Sequence, residues 1–370
     1  MERKILKNFD IPLFLNVLAL VIMGFIAIFA ATQNFGPTQS MRFVTVQAIA
    51  FLLGLVAMAI IISIDYSQFG YFWKIIYIIT ILMLIAVLIP GIGKLRDGAR
   101  RWIDLKVLEM QPAEFAKIGI IITFAKILEN REEKLNTIKD LLIPAIHIGI
   151  PIILIMLQPD LGSALVFVVI GLGMLFVAGI NLKFVYGGIL AFLVSFPVLW
   201  NFILFPHQKK RLITFINPYS DPLGDGYHVI QSMLAVGSGQ VTGKGLMAEE
   251  TMTNLNFLPE QWTDFIFSVI SELTGFIGSA IIVIAFTLFL IRLLRLAKIA
   301  KDQFGTLIIT GVFFMYLFQI VENIGMTIGL MPITGITLPF ISYGGSSMLT
   351  NMMAIGLVLN VTMRRHRIKF

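Results

Sequence analysis

The run from Ile11 to Ala31 carries no charged residue, and a helix of about 20 such residues is what crosses a hydrocarbon core about 30 Å thick. Comparable runs recur down the chain, and that recurrence limits the fold more than any motif does. Inside lipid every backbone N–H and C=O must be satisfied internally, so repeated apolar runs of this length fold as a bundle of helices. A cleaved leader is a poor reading of the first run, because it is long enough to span and further spans follow. Composition agrees: 58% of the 370 residues are hydrophobic and 13% charged, against about 25% charged in soluble domains. The expected fold class is an all-α, polytopic membrane protein.

Loop charge orients the bundle. Arg3, Lys4 and Lys7 precede the first run and predict a cytoplasmic N-terminus. Ten spans are expected, at about 11–32, 43–64, 71–88, 112–128, 141–157, 161–180, a seventh ending near Phe205, then 264–291, 307–323 and 347–363. Inner loops then hold Arg131, Lys134 and Lys139, and later Arg292, Arg295, Lys298 and Lys301; Arg364, Arg365, Arg367 and Lys369 follow the last span, so both termini are inside. The largest polar interval, 206–263, becomes an extracytoplasmic loop between helices 7 and 8 of one transmembrane domain covering 1–370.

The absence of cysteine excludes disulfides, thiol chemistry and a Cys/His zinc site. A net charge of +7 would suggest nucleic acid in a soluble protein. Here the basic residues sit mainly between spans, where they set orientation and meet anionic lipid, and no nucleic-acid partner is expected. The stretch from Gly237 to Gly245 imitates a phosphate-binding loop, but its glycine spacing is one residue short, Gly245 stands where Ser or Thr should be, and no strand precedes it.

Two outer loops break the charge rule, one with Lys94, Arg96, Arg100, Arg101 and Lys106, the other opening with Lys209, Lys210 and Arg211. Such residues either face outer headgroups or bind a phosphate or pyrophosphate, for which guanidinium groups are suited. Three spans entering from outside open with proline and an acid: Pro112 with Glu114, Pro159 with Asp160, and Pro259 with Glu260 and then Asp264. Helix capping accounts for Asp160 and Glu260. It is weaker for Asp264, expected a full turn inside its helix. Glu260, Asp264, Ser268 and Glu272 fall four apart and predict one polar face descending into the membrane. Ionisable groups at that depth are costly and mark functional sites by default. Glu114 and Lys117 can pair across one turn, for structure or for chemistry. His147 reads as a polar group bonded within the bundle, while Glu322 and Asn323 either cap the ninth helix or line a cavity. Apolar positions Val229, Ile230, Met233 and Leu234 predict a helix lying on the membrane surface. The Gly-, Pro- and Ser-rich run from Asn323 to Ser347 must be buried against protein or line a wet cavity.

That run resembles the signature of the SEDS family (shape, elongation, division and sporulation proteins). The segments Asn217-Pro218, Asp221 to Gly224, Gly226-Tyr227-His228, Gln231-Ser232, Gly243-Lys244-Gly245, Phe257 to Glu260 and Thr263 to Phe267 resemble its elongation branch more than its division branch. With Arg100-Arg101-Trp102 and Gln111 to Lys117, the resemblance covers essentially the whole chain. One departure is Gln240, where the pattern implies a second glycine.

The resemblance implies an inverting glycosyltransferase of peptidoglycan synthesis in the bacterial cytoplasmic membrane. It would join lipid II to a glycan carried on undecaprenyl diphosphate at the outer face, beside a class B penicillin-binding protein and other elongation proteins. It also implies that Asp264 is the essential carboxylate. Arg101, Trp102, Glu114, Lys117, Asp160, Lys210, Arg211 and Glu260 are the candidate substrate-binding residues. No cofactor is expected to be required, although a divalent cation, Mg or Mn, with Asp264 as a ligand is compatible. A lipid II flippase, or a non-catalytic scaffold, would present similar intramembrane charges.

Overall fold

A computed structural model describes residues 8–96, 99–104, 109–131, 135–204, 206–222, 224–246, 248 and 250–365. Arg3, Lys4, Lys7, Lys106, Lys134, Phe205, Arg367 and Lys369 lie outside the described residues.

The expected spans appear as α1 (Ile11–Ala31), α2 (Pro37–Ser63), α3 and α4 (Tyr66–Tyr71 and Trp73–Ala86), α5 (Pro112–Glu129), α6 (Ile138–Met156), α7 (Leu161–Val177), α8 (Leu182–Val198), then α11 (Ile266–Lys298), α12 (Gln303–Thr327) and α13 (Gly345–Met363). Among the described residues, six of these (α1, α2, α6, α11, α12 and α13) are long and apolar enough to cross a membrane, and α4, α7 and α8 are shorter apolar helices. Local chemistry sets their starts. Asp10 caps α1 through Leu13 N at 3.0 Å, Pro37 and Pro112 open α2 and α5, and Thr137 with Asp140 forms a capping box on α6.

Burial ranks the helices. In α13 89% of the apolar window is buried and in α12 72%, against 22% in α2 and α6. The last two helices are therefore the hub, with α5 almost wholly enclosed beside them. α2 packs on α13 through glycines: a β-carbon on Gly54 would meet Met352 Cγ at 2.7 Å, and one on Gly356 would meet Met58 Cα at 3.0 Å. The outer ring leaves Leu52, Val56, Ile60 and their like exposed, as lipid-facing helices do.

Two features depart from a plain bundle. Residues expected only as an external segment form a small antiparallel sheet, β1 (Gly93–Arg96), β2 (Ala99–Asp104) and β3 (Glu109–Met110), with Lys94 opposite Trp102 and Asp104 opposite Glu109. Its last strand is tied to α13, because Ser346 Oγ donates to Glu109 O at 2.9 Å and accepts from Gln111 N at 3.1 Å. The long loop contains α9 (Pro206–Ile216) and α10 (Asp225–Ser238). α10 lies on α11 and α12 with Val229, Ser232 and Ala235 buried, while Leu234 stays exposed. Ser232 Oγ bonds Ser268 Oγ at 2.7 Å and Thr327 O at 2.8 Å, so this helix is fixed to protein and does not simply lie on lipid.

The false phosphate loop has a structural task. α11 breaks at Gly275 (φ 66, ψ −161), and residues 240–245 fill the gap: Phe276 N donates to Gln240 O at 2.8 Å, Ile277 N to Val241 O at 3.1 Å and Gly245 N to Leu273 O at 3.0 Å. A β-carbon on Gly243 would lie 2.3 Å from Leu273 O, which is why glycine is needed there. Gln240 adopts φ 50, the left-handed region, which explains why the family pattern implies glycine at that position.

Candidate active site

The expected carboxylate stripe does not form. Glu260 takes φ 49, the chain turns through residues 260–264, and α11 begins only at Ile266, so Asp264 stands in front of the helix and not a turn inside it. Glu272, the deepest member, is fully buried. It accepts from Lys244 Nζ at 2.7 Å, Met252 N at 2.7 Å, Thr253 N at 3.0 Å and Thr253 Oγ1 at 2.7 Å, which makes it the anchor of the loop behind the site.

The turn is held from behind, carbonyl by carbonyl. Trp262 O accepts from Tyr343 N at 2.9 Å, Thr263 O from Ser342 Oγ at 2.6 Å and Asp264 O from Asn323 Nδ2 at 2.8 Å. Asn323 also donates to Ile336 O at 2.8 Å, so one buried amide joins α12, the turn and the Gly-rich run. Gln47, in the middle of α2, donates to Ser342 O at 3.1 Å and accepts from Gly344 N at 3.0 Å. Gln261 donates to Ala31 O at 2.8 Å and Thr253 O at 3.0 Å, and Trp262 packs with Phe35 and Phe43. Every backbone group so fixed removes freedom from the Asp264 side chain.

Asp264 is half-buried. Burial pushes its carboxyl up to about 7; Glu260 pushes the same way, Arg211 opposes, Asp160 adds to the rise and Arg101 opposes it. Charges from four separate segments thus meet at one carboxylate. Gly335 lies directly over it, and a β-carbon there would sit 3.3 Å from Asp264 Oδ2.

The other candidates fall into distinct places. Arg101, on β2, donates from Nε to Gln158 O at 3.1 Å and from a terminal nitrogen to Pro159 O, so it grips the turn before α7. Asp160 caps α7, accepting from Ser163 N at 3.0 Å and Ser163 Oγ at 2.9 Å, and takes Gln111 Nε2 at 3.2 Å as well. Arg211 reaches Ile333 O at 3.3 Å. Lys210 points elsewhere, to Asp221 at 2.7 Å. Trp102 sits half-buried on β2, and Glu260 is exposed at the mouth. Glu114 and Lys117 make a 2.7 Å pair inside α5, with side-chain exposures of 11% and 3%. His147 bonds Thr123 Oγ1 at 2.9 Å and stacks on Tyr77, which is the internal role expected of it.

Among the described residues no group of three His, Asp or Glu could hold a metal ion, so the residues around Asp264 do not fit a protein-built divalent site. Sequence reasoning missed Gln47, Ser342 and Gly335. Gln47 had a signal, a lone amide in an apolar run; the other two were visible only as members of the Gly- and Ser-rich segment.

Residues 11–367 match the sequence profile of the FtsW, RodA and SpoVE family, described as cell cycle proteins. The chain is 37% identical over 358 residues to stage V sporulation protein E of Bacillus subtilis, covering 95% of this chain and 96% of that protein. It is 34% identical over 359 residues to peptidoglycan glycosyltransferase MrdB of Escherichia coli, covering 97% and 94%. Among solved structures, it superposes on a chain of a peptidoglycan synthase complex that coordinates polymerization and crosslinking, with a TM-score of 0.81, 30% identity and coverage of 97% and 99%. The rod shape determining protein RodA of Thermus thermophilus gives a TM-score of 0.72 at 29% identity, covering 97% and 98%. With a profile match along nearly its whole length, this chain belongs to the FtsW, RodA and SpoVE family, the SEDS proteins.

Proposed function

We propose that this protein is a peptidoglycan glycosyltransferase that polymerises lipid II at the outer face of the bacterial cytoplasmic membrane during cell elongation. Asp264 is its general base. The observation that carries this reading is the carboxylate itself: raised to about 7, held by three captured carbonyls, with Arg101 and Arg211 acting on it from opposite segments. A base poised near the working pH is what proton abstraction from a sugar hydroxyl requires.

In the step proposed, Asp264 takes the proton of the acceptor 4-hydroxyl as that oxygen bonds to the donor's anomeric carbon. The bond from that carbon to the pyrophosphate breaks, and its electron pair leaves on the pyrophosphate. One displacement converts an α-linked donor to a β-linked product. Arg101 and Arg211 balance the leaving charge in this reading, with Lys117 as a further candidate. Trp102, Asp160 and Glu260 line the approach, Lys210 stays with Asp221 away from it, and Glu114 serves through Lys117. The step uses no cofactor, because the pyrophosphate link supplies the driving force.

The chain acts as one transmembrane domain, 1–370, with loop 206–263 and the active site outside and both termini in the cytoplasm. Its partner is a class B penicillin-binding protein that crosslinks the product; the relative solved in a synthase complex supports this. Purified protein with its partner should convert lipid II to long glycan on a gel, and Asp264→Asn should lose this while still folding and binding the partner. Wild-type polymerisation by Asp264→Asn would sink the assignment. Transport of labelled lipid II across vesicles without elongation would favour a flippase instead.

A further inference from the structure

Glu322 lies on α12 one residue before Asn323, and the reaction proposed above makes no use of it. It is 2% exposed. Oε1 accepts from the hydroxyl of Thr334, and Oε2 is buried with no hydrogen-bond partner among the described residues. A buried carboxylate half satisfied in this way is expensive inside a bundle and is not a packing device.

Its surroundings point at Asp264. Thr334, which holds Glu322, is followed by Gly335, which covers Asp264 Oδ2. Asn323, which follows Glu322, holds Asp264 O. The two carboxylates therefore flank one dipeptide and are joined through two adjacent pairs of residues. Asp264 acts electrostatically on Glu322, and no cation bonds to Glu322 among the described residues. The charged groups acting on Asp264 from other elements are Glu260, Arg211, Asp160 and Arg101.

We propose that Glu322 is a second carboxylate of the site, a positioning residue that shares one proton with Asp264 across the Thr334-Gly335 dipeptide. Two acids on either side of one dipeptide repel when both are ionised, so the proton lost by one is held more tightly by the other. Ionised Glu322 keeps Asp264 a strong enough base to draw a proton from a hydroxyl. Thr334 supplies the donor that stabilises the ionised form of Glu322.

The effect on rate rests on Asp264 being the base; the pairing itself does not. Infrared difference spectra of the whole protein, taken through a pH titration, read the protonated-carboxyl band directly. The component lost in Asp264→Asn should titrate near 7 in the wild type. In Glu322→Gln its midpoint should move to lower pH by about one pH unit, because a neighbouring negative charge is gone. Thr334→Val should move it the same way by less. The acid limb of the polymerisation profile should shift with the band, which a purely structural role would not do. A midpoint unmoved in both variants overturns the pairing. Should Glu322→Gln fail to fold, Thr334→Val and the Asp264→Asn titration of the Glu322 band decide it. Absence of glycan synthesis by wild type would defeat the enzyme reading and leave the infrared result standing.

Discussion

At the residue scale, Asp264 links rate and stability with opposite signs. Its carboxyl is raised from 3.8 to about 7, so the folded protein binds the proton more tightly than the unfolded chain across that window. Stability contributed by this group is present at low pH and lost as pH rises through about 7, where the base form appears. Polymerisation should therefore fall about tenfold per pH unit below that midpoint. Asp264→Asn should lose the activity yet melt at a higher temperature than wild type at pH 8, with the gap closing at pH 5. Paired thermal melts at the two pH values check the sign. Gly335→Ala tests the other side of the same carboxylate: a methyl 3.3 Å from Asp264 Oδ2 should lower kcat, and because Gly335 sits at φ 76 the variant should also lose about 1–2 kcal/mol of stability.

At the scale of elements, the break in α11 depends on a loop that must come close. Gly243→Val places side-chain atoms against Leu273 O, and the loop cannot yield without losing its bonds to Phe276 and Ile277. A loss of about 1–3 kcal/mol is expected, typical of overpacking, and protease nicking within 239–262 should report it. Glu272→Gln removes the charge that Lys244 and two backbone N–H groups address, and should release the same loop. The α2 to α13 contact is a separate test, since Gly356→Leu would drive a side chain into Met58 and should lower the melting temperature without touching residues around Asp264.

At the scale of the whole molecule, orientation and burial come from different sources. The chain has no cysteine, so single introduced thiols report topology cleanly. A membrane-impermeant maleimide should label Tyr219→Cys in intact cells and Lys301→Cys only after lysis; both positions are exposed. The reverse pattern would place Asp264 on the cytoplasmic side and exclude an outer-face reaction.

The spans were legible from neighbouring residues alone, because lipid demands apolar helices with internally satisfied backbone and that demand is local: α5 opens at Pro112 and α7 at Leu161, as the charge and proline pattern predicts. Asp264 was legible for the same reason, as an acid beside an apolar run. How that acid is held could not be read the same way, because it was set by packing between distant segments. The sheet carrying Arg101, the bond from Thr334 to Glu322 and the hold of Gln47 on Ser342 depend on contacts between residues 12 to 295 positions apart. Period and composition describe neighbours along the chain. Asn323 grasping Asp264 O, and Gln47 grasping Ser342 O, are facts of folding, set by which buried polar groups could find partners once the helices had packed.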